Sequence, residues 1–342
     1  MATALVLGAC TRSVAGSAAN VSPQDVYAAS VPADTMQTLL GGSTWWQAPP
    51  SFQVRPLQIE SLPQTIRFAI TNRYVNVGTS DTFENLVQLW DSSTDATAHM
   101  TGVQNLLGTA INGPRVGDQQ LYYQEPPAAG SPSYTTYAFV RLGPAVDTLT
   151  WTSGSNFASI NTVGKIANAA IGKLRSALGG RLRASPPAAN DLSLLPPANQ
   201  DITLLGMTHL PIETFGLMIS VAAPEDLAKT FHNLGVSDFV FGDYALDNDT
   251  QMEVRAGVIT FSSDQDATDL LNSFRTSSDT SNPFVVLYQD QSGPGQYYVM
   301  FAAKTQFAIL ICRNTAVTVA ASRSCENPIS RVGDAWYSTL SA

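Results

Sequence analysis

A strand, a serine cap and a helix occur twice in this chain, and that duplication constrains its fold more than any other feature. The first copy, residues 86–103, reads LVQLWDSSTDATAHMTGV, and the second, residues 257–274, reads GVITFSSDQDATDLLNSF. Each is an apolar run closed by an aromatic residue, Trp90 or Phe261, followed by Ser-x-x-Asp and a helical pattern. The hydroxyls of Ser92 and Ser263 can accept from backbone amides of the first turn, where Asp95 and Asp266 also complement the positive helix end. Asp-Ala-Thr recurs in both (Asp95-Ala96-Thr97 and Asp266-Ala267-Thr268). In a chain of 342 residues this predicts two domains of similar size.

The flanking segments extend the correspondence. Strands are expected at 66–77 and 85–90, then a helix with Ala96, Met100, Val103, Leu107 and Ala110 on one face, stopped by Asn112-Gly113-Pro114. Strands at 119–124, 135–142 and 145–151 follow, and then a helix over 160–178 with Val163, Ala167, Ala170, Leu174 and Leu178 on one stripe. The second half predicts strands at 239–241 and 252–261, a helix at 263–275, and strands at 284–289, 296–303 and 305–312. Its last helix, 328–340, aligns Ile329, Val332, Trp336 and Leu340. An additional helix is expected at 224–234, and residues 202–206 echo Leu39-Leu40-Gly41. Each unit therefore reads β-β-α-β-β-β-α, an α+β class with helices packed on one face of an antiparallel sheet.

The expected boundaries are a lipoprotein signal segment at 1–10, a polar tether at 11–34, a first domain at 35–182, a Pro-rich linker at 183–200 and a second domain at 201–342. The N-terminal segment is apolar and ends in Leu7-Gly8-Ala9-Cys10, the lipobox pattern in which small residues precede a cysteine that is cleaved at and lipidated. It lacks a basic leading region and its apolar run is short, so it is read as a signal peptide whose start lies upstream. The alternative is an incidental cysteine. A lipidated Cys10 would make the membrane one partner through its anchor.

Charged residues are only 13% of the chain, about half the usual share near 25%, so the surface must be built largely from neutral polar side chains. That profile suits a protein outside the cytoplasm. The net charge of −9 argues against nucleic acid as a partner, because phosphate backbones need a basic face.

The strand-aromatic-Ser-x-x-Asp-Ala helix start, the closing antiparallel strands and the cysteine ending the last strand (Ile311-Cys312) resemble the extracytoplasmic sensor-type domains of actinobacteria. Such domains occur on receptor serine/threonine kinases and in mycobacterial-type secreted lipoproteins. The resemblance covers 200–342 best and 36–180 more weakly. It implies a fold and a location rather than an activity. Domains of that kind usually carry disulfides across the core, whereas the first domain here has no cysteine and sets Trp151 opposite Cys312.

Of three cysteines, Cys312 and Cys325 remain for a disulfide if Cys10 is lipidated, the alternative being two reduced thiols. No His-Glu-x-x-His, Gly-x-Ser-x-Gly or Cys-His arrangement is present, so neither a metal nor another cofactor is expected. His99 is expected to be solvated, His209 to lie in a loop and His232 to end a surface helix. The acidic residues Asp243, Asp247, Asn248 and Asp249 read as a turn rather than a calcium loop, which would need a glycine at position six and a glutamate at twelve. Asp264, Asp266 and Asp269 read as helix-start chemistry. Among the aromatics, Trp45, Trp46, Tyr122 and Tyr297 are candidates to meet a small apolar or sugar ligand or an unidentified envelope protein.

The leading expectation is thus a non-catalytic, surface-anchored lipoprotein that binds a ligand or envelope partner through a sheet face or the cleft between its domains. A structural protein of the envelope is one alternative, and a hydrolase with a site assembled in space is another.

Overall fold

The computed structural model describes residues 20–53, 57–58, 65–128, 132–197, 201–219, 224–247, 249–275, 282–289, 296–314 and 325–342. Two short helices, α1 (Pro23–Ala28) and α2 (Ala33–Leu40), precede three short strands, β1 (Trp45–Gln47), β2 (Ser51–Gln53) and β3 (Leu57–Gln58). Next come β4 (Thr65–Asn76), β5 (Thr82–Trp90), α3 (Ser93–Leu107), β6 (Gln119–Glu125), β7 (Tyr134–Leu142), β8 (Ala145–Ser153) and α4 (Ile160–Leu178). The connection carries α5 (Ala189–Leu194). The second half runs β9 (Ile202–Pro211), α6 (Glu213–Ile219), α7 (Pro224–Asn233), β10 (Asp238–Leu246), β11 (Asp249–Thr260), α8 (Asp264–Ser273), β12 (Phe284–Gln289), β13 (Gln296–Ala303), β14 (Gln306–Asn314) and α9 (Glu326–Ser341).

The protein is α+β, with two antiparallel sheets and one topology used twice. The first sheet has the order β1-β4-β5-β8-β7-β6, with β2 and β3 also pairing with β4, and the second has β12-β13-β14-β11-β10-β9. Removing β1, β2, β3 and β9 leaves β4-β5-β8-β7-β6 and β10-β11-β14-β13-β12, two copies of the same five-stranded order. The caps repeat as well. Ser92 Oγ accepts from Asp95 N at 3.1 Å and Ser263 Oγ from Asp266 N at 3.2 Å. Each hydroxyl in turn donates to the aspartate carboxylate, at 2.7 and 2.6 Å.

The helices do not keep to one face. In the first domain α4 packs with α1 and α2 on one side of the sheet, against Phe83, Leu89, Ala138 and Leu149. Helix α3 lies on the other side, where Ala96 and Met100 meet Trp90, Leu121 and Val146. In the second domain α9 covers the face of Val254, Val299 and Leu310, while α6, α7 and α8 cover that of Phe241, Met300 and Ile309. The expected single helical layer is therefore corrected to two, one on each side of each sheet. Strands with apolar residues at consecutive positions, such as Tyr297-Tyr298-Val299-Met300-Phe301, require cover on both faces.

Other expectations are corrected in the same way. The tether reading of 11–34 cannot hold for residues 20–34, because α1 is capped by Ser22, buries Val26 and is held by an Arg183–Asp25 ion pair at 2.9 Å. The linker reading of 183–200 fails over 189–197, which lies against the second domain. There Leu195 is buried, Trp336 Nε1 donates to Leu194 O at 2.8 Å and the Tyr244 hydroxyl donates to Pro196 O at 3.3 Å. Residues 39–41 end a helix while 202–206 form a strand, so that echo has no structural counterpart. Helix α3 stops at Leu107 rather than at Asn112, since Gly108 takes φ +79°, where only glycine is unstrained.

Candidate functional site

The short strands β1 and β2, which lie outside the repeated order, meet the second half. Strand β2 of the first domain approaches β9 and β10, and β1 approaches α6. Phe52 is buried with its ring over Gly206, where a Cβ would come within 2.6 Å of the ring, so glycine is what allows this approach. Leu205 joins the apolar core of the first domain, and Thr214 Oγ1 donates to Gln47 O at 2.7 Å.

Under this contact lies a charged cluster. The face of β10, β11 and β14 beneath α6, α7 and α8 is apolar at one end, with Phe239, Phe241, Ile259 and Phe307. The other end of the same face carries Asp243, Glu253, Arg255 and Arg313, with Asp243 opposite Arg255 and Glu253 opposite Arg313 in the strand register. Strand β2 closes over it. Phe52 N donates to Asp243 Oδ2 at 2.6 Å. The Glu253 carboxylate accepts from Arg255 Nη2 at 3.2 Å, from Arg313 Nε and from the Ser51 hydroxyl.

Burial pushes the Asp243 carboxyl well above the usual carboxylate range, and the adjacent Glu253 charge adds to the effect against the opposing charge of Arg255. A proton on Asp243 would also account for its Oδ1, which no donor among the described residues reaches. Glu253 behaves oppositely. Burial alone would raise it, but Arg255 and Arg313 outweigh burial and hold it near about 2. The cluster therefore sets one acid biased towards its neutral form beside one carboxylate and two guanidinium groups.

Above the cluster opens a cleft of about 460 Å³, lined by Ser51, Gln53, Thr71, Arg73 and Glu84 from the first domain and by Arg255, Gln296 and Arg313 from the second. Arg73 and Glu84 face each other across β4 and β5. When Asp95 is aligned with Asp266, Glu84 takes the position of Arg255, and the register places Arg73 where the second domain has Asp243. The two repeats thus present equivalent faces to one cleft, with the charges of the paired residues exchanged.

The sequence-predicted contacts lie elsewhere. Trp45 is buried on β1, with its ring 5.2 Å from Trp151, which in turn lies 6.0 Å from Phe83. In the second domain the position equivalent to Trp151 is Cys312, which forms a disulfide with Cys325 at a Cα–Cα distance of 6.1 Å. The first domain fills with three aromatic rings the site that the second closes with a covalent bond. Trp46 sits in the same strand, half-buried and outside the cleft lining. Tyr122 is buried with its hydroxyl donating to Pro114 O at 2.9 Å, and Tyr297 is buried in the core beneath α9. Three of the four candidates are therefore core residues, and none lines the cleft. Cys10 lies outside the described residues.

The residues that do line it were not singled out in the sequence, and Asp243, read there as part of a turn, lies inside β10. A signal existed. Glu253, Arg255 and Arg313 are charges within otherwise apolar strands of a chain that is only 13% charged, and such positions need a partner.

The histidines are each engaged. His99 is half-buried and stacked on Trp90 with centroids 4.8 Å apart, rather than solvated. Burial lowers its pKa. His209 is on β9, not in a loop; its Nε2 lies 3.0 Å from Asp191 Oδ2 and its Nδ1 3.6 Å from Asp238 Oδ1, beside a smaller cleft of about 230 Å³. Burial pulls its pKa down, but the two carboxylates outweigh it and the net shift is upward. With both ring nitrogens facing carboxylates, it has no free nitrogen to activate a hydroxyl. His232 meets Glu213 at 2.8 Å. Among the described residues, no group of three or more His, Cys, Asp or Glu could hold a metal ion, and no helix is long and apolar enough to cross a membrane.

No family model matches the chain, and no curated protein matches it. Among solved structures it has a likeness to the extracellular domain of PknH from Mycobacterium tuberculosis, at 10% identity, 46% coverage of this chain, 97% of that one and a TM-score of 0.36. A second is DynU16, from the dynemicin biosynthetic locus, at 8% identity, 87% and 98% coverage and a TM-score of 0.12. At these scores neither carries an argument about function.

Proposed function

We propose that the chain is a non-catalytic, extracytoplasmic binding protein, held at the membrane through a lipidated Cys10, whose ligand site is the cleft between its two domains. The observation that carries this reading is the cleft itself. Its volume of about 460 Å³ falls within the range of small-molecule sites, and polar side chains of both domains converge on it. It is buttressed by a buried charged cluster, an expensive arrangement that a merely structural contact between domains would not need.

The alternatives have less support. An assembly protein would be expected to offer a broad apolar sheet face, whereas helices cover both faces of each sheet. A hydrolase needs a free base near a nucleophile, and His209 has neither ring nitrogen free.

The test is native mass spectrometry of the protein purified from its own envelope, together with intact mass of its N-terminus. A diacyl or triacyl adduct at Cys10 and a bound small molecule, lost on Phe52→Ala opening of the interface, would support the reading. A chain with an unmodified Cys10 would remove the anchor, and retention of the small molecule by the opened variant would remove the cleft as its site.

A further inference from the structure

We propose that the cleft takes a small free anion carrying a carboxylate or phosphate group, clamped between Arg73 of the first domain and Arg255 and Arg313 of the second. This rests on the reading of the cleft as the binding site and adds the chemistry of what fills it.

The charge count comes first. Arg73, Arg255 and Arg313 line the cleft, opposed there by Glu84 and, in the cluster beneath, by Glu253. The lining itself therefore holds three guanidinium groups against one carboxylate, in a chain whose formal net charge is −9. A local excess of positive charge on an acidic protein selects for an anion and against a cation.

The hydrogen-bond inventory points the same way. Arg255 is nine-tenths buried and bonds Glu253 through Nη2, yet its Nε has no acceptor among the described residues. A buried guanidinium donor left unpaired is costly, and the arginine is under-served by the one carboxylate it shares with Arg313. Arg73 is exposed at the opposite wall and has no ion pair among the described residues. Guanidinium forks match the paired oxygens of carboxylate and phosphate, and Ser51, Thr71, Gln53 and Gln296 add neutral donors around them.

An apolar molecule would strand these groups without partners. A neutral sugar would satisfy hydroxyl and amide groups but would leave the excess charge uncompensated. Because the arginines come from different domains, an anion bound by all three would also bridge the domains.

The experiment is a titration of the full chain, followed by calorimetry and by backbone amide NMR, with inorganic phosphate, citrate, glucose and anionic phospholipid vesicles as separate probes. Phosphate or citrate should bind and shift amides at 51–53, 71–73 and 311–313. The Arg73→Gln and Arg313→Gln variants should each weaken that binding about tenfold, the scale of one charge-assisted contact. Both side chains are at least partly exposed, so the variants should fold, and their thermal melts would verify it. Glucose shifting the cleft amides while phosphate and citrate do not would overturn the anion but keep the cleft. Anion binding that neither variant weakens would place the anion elsewhere and overturn the proposal. Binding only to vesicles would assign the phosphate to a lipid surface and likewise overturn it. If no probe moved a cleft amide, both the anion and the cleft reading would fall.

Discussion

Replacing Asp243 by asparagine tests the buried cluster through its pH dependence. In the folded protein the carboxyl keeps its proton well above the pH at which a free aspartate loses it, because burial and Glu253 disfavour the charge. The unfolded chain releases that proton at about pH 3.9. Between there and the folded pKa the native state binds more protons than the unfolded one, so stability falls as pH rises. The slope is about 1.4 kcal/mol per pH unit over the interval between the unfolded and folded pKa values. Asparagine does not titrate. Its carbonyl can accept from Phe52 N–H and its amide can donate to Glu253, so it reproduces the protonated acid. Asp243→Asn should match the wild type within about 1 kcal/mol at pH 4 and become progressively more stable than it above that. Glu253, held at about 2 by the neighbouring guanidinium groups, titrates below this window. The assay is urea unfolding at half-unit pH steps, with Trp45, Trp46, Trp90 and Trp151 reporting the first domain and Trp336 the second. A gap that stays flat with pH would refute the reasoning. So would a loss of about 3 kcal/mol or more in the variant at pH 7, as expected from removing one partner of a buried ion pair.

Phe52→Ala should cost about 3–5 kcal/mol and split one unfolding transition into two, because the buried ring fastens the domains together at Gly206; a single unshifted transition would contradict it. Ser92→Ala and Ser263→Ala should each cost about 1 kcal/mol by urea unfolding, and nearly the same as each other, since the two caps share one geometry. Replacing Cys312 and Cys325 together by serine should destabilise the second domain by about 3 kcal/mol, seen at Trp336, while the first domain changes little. His209, with its raised pKa, contributes its bonds to Asp191 and Asp238 fully below about pH 6.5 and loses them as pH rises through the folded value, so amide exchange in 189–197 should quicken over that rise, and His209→Gln should abolish the change.

The sequence was most legible where the physics is local. The Ser-x-x-Asp caps, the stripe of α4 and the succession of strands and helices along each repeat depend on residues a few positions apart, and they stand where the pattern put them. Face assignment was less legible because it depends on what covers a strand. The consecutive apolar residues of β13 and β14 already required two layers of helices, but a reading from helix stripes alone assigned one. Trp45 could not be placed from Trp45-Trp46, since its partner Trp151 lies on a distant strand that β1 does not pair with. The cleft was the least legible of all. Asp243 acquires its role from the main-chain N–H of Phe52, 191 residues away, and from a contact built by segments that the two repeats do not share. What the sequence did offer was the oddity of Glu253, Arg255 and Arg313 in apolar strands.

Hydrogen–deuterium exchange of the full chain, with and without a small-molecule extract of the cells that make it, tests the central claim most directly. If the cleft between the docked repeats is the binding site, exchange should slow at 48–53, 71–73, 253–255 and 311–313 and remain unchanged on the outer edge strand β12. Slowing confined to β12 or to the outer helices, with the cleft segments unaffected, would contradict the account.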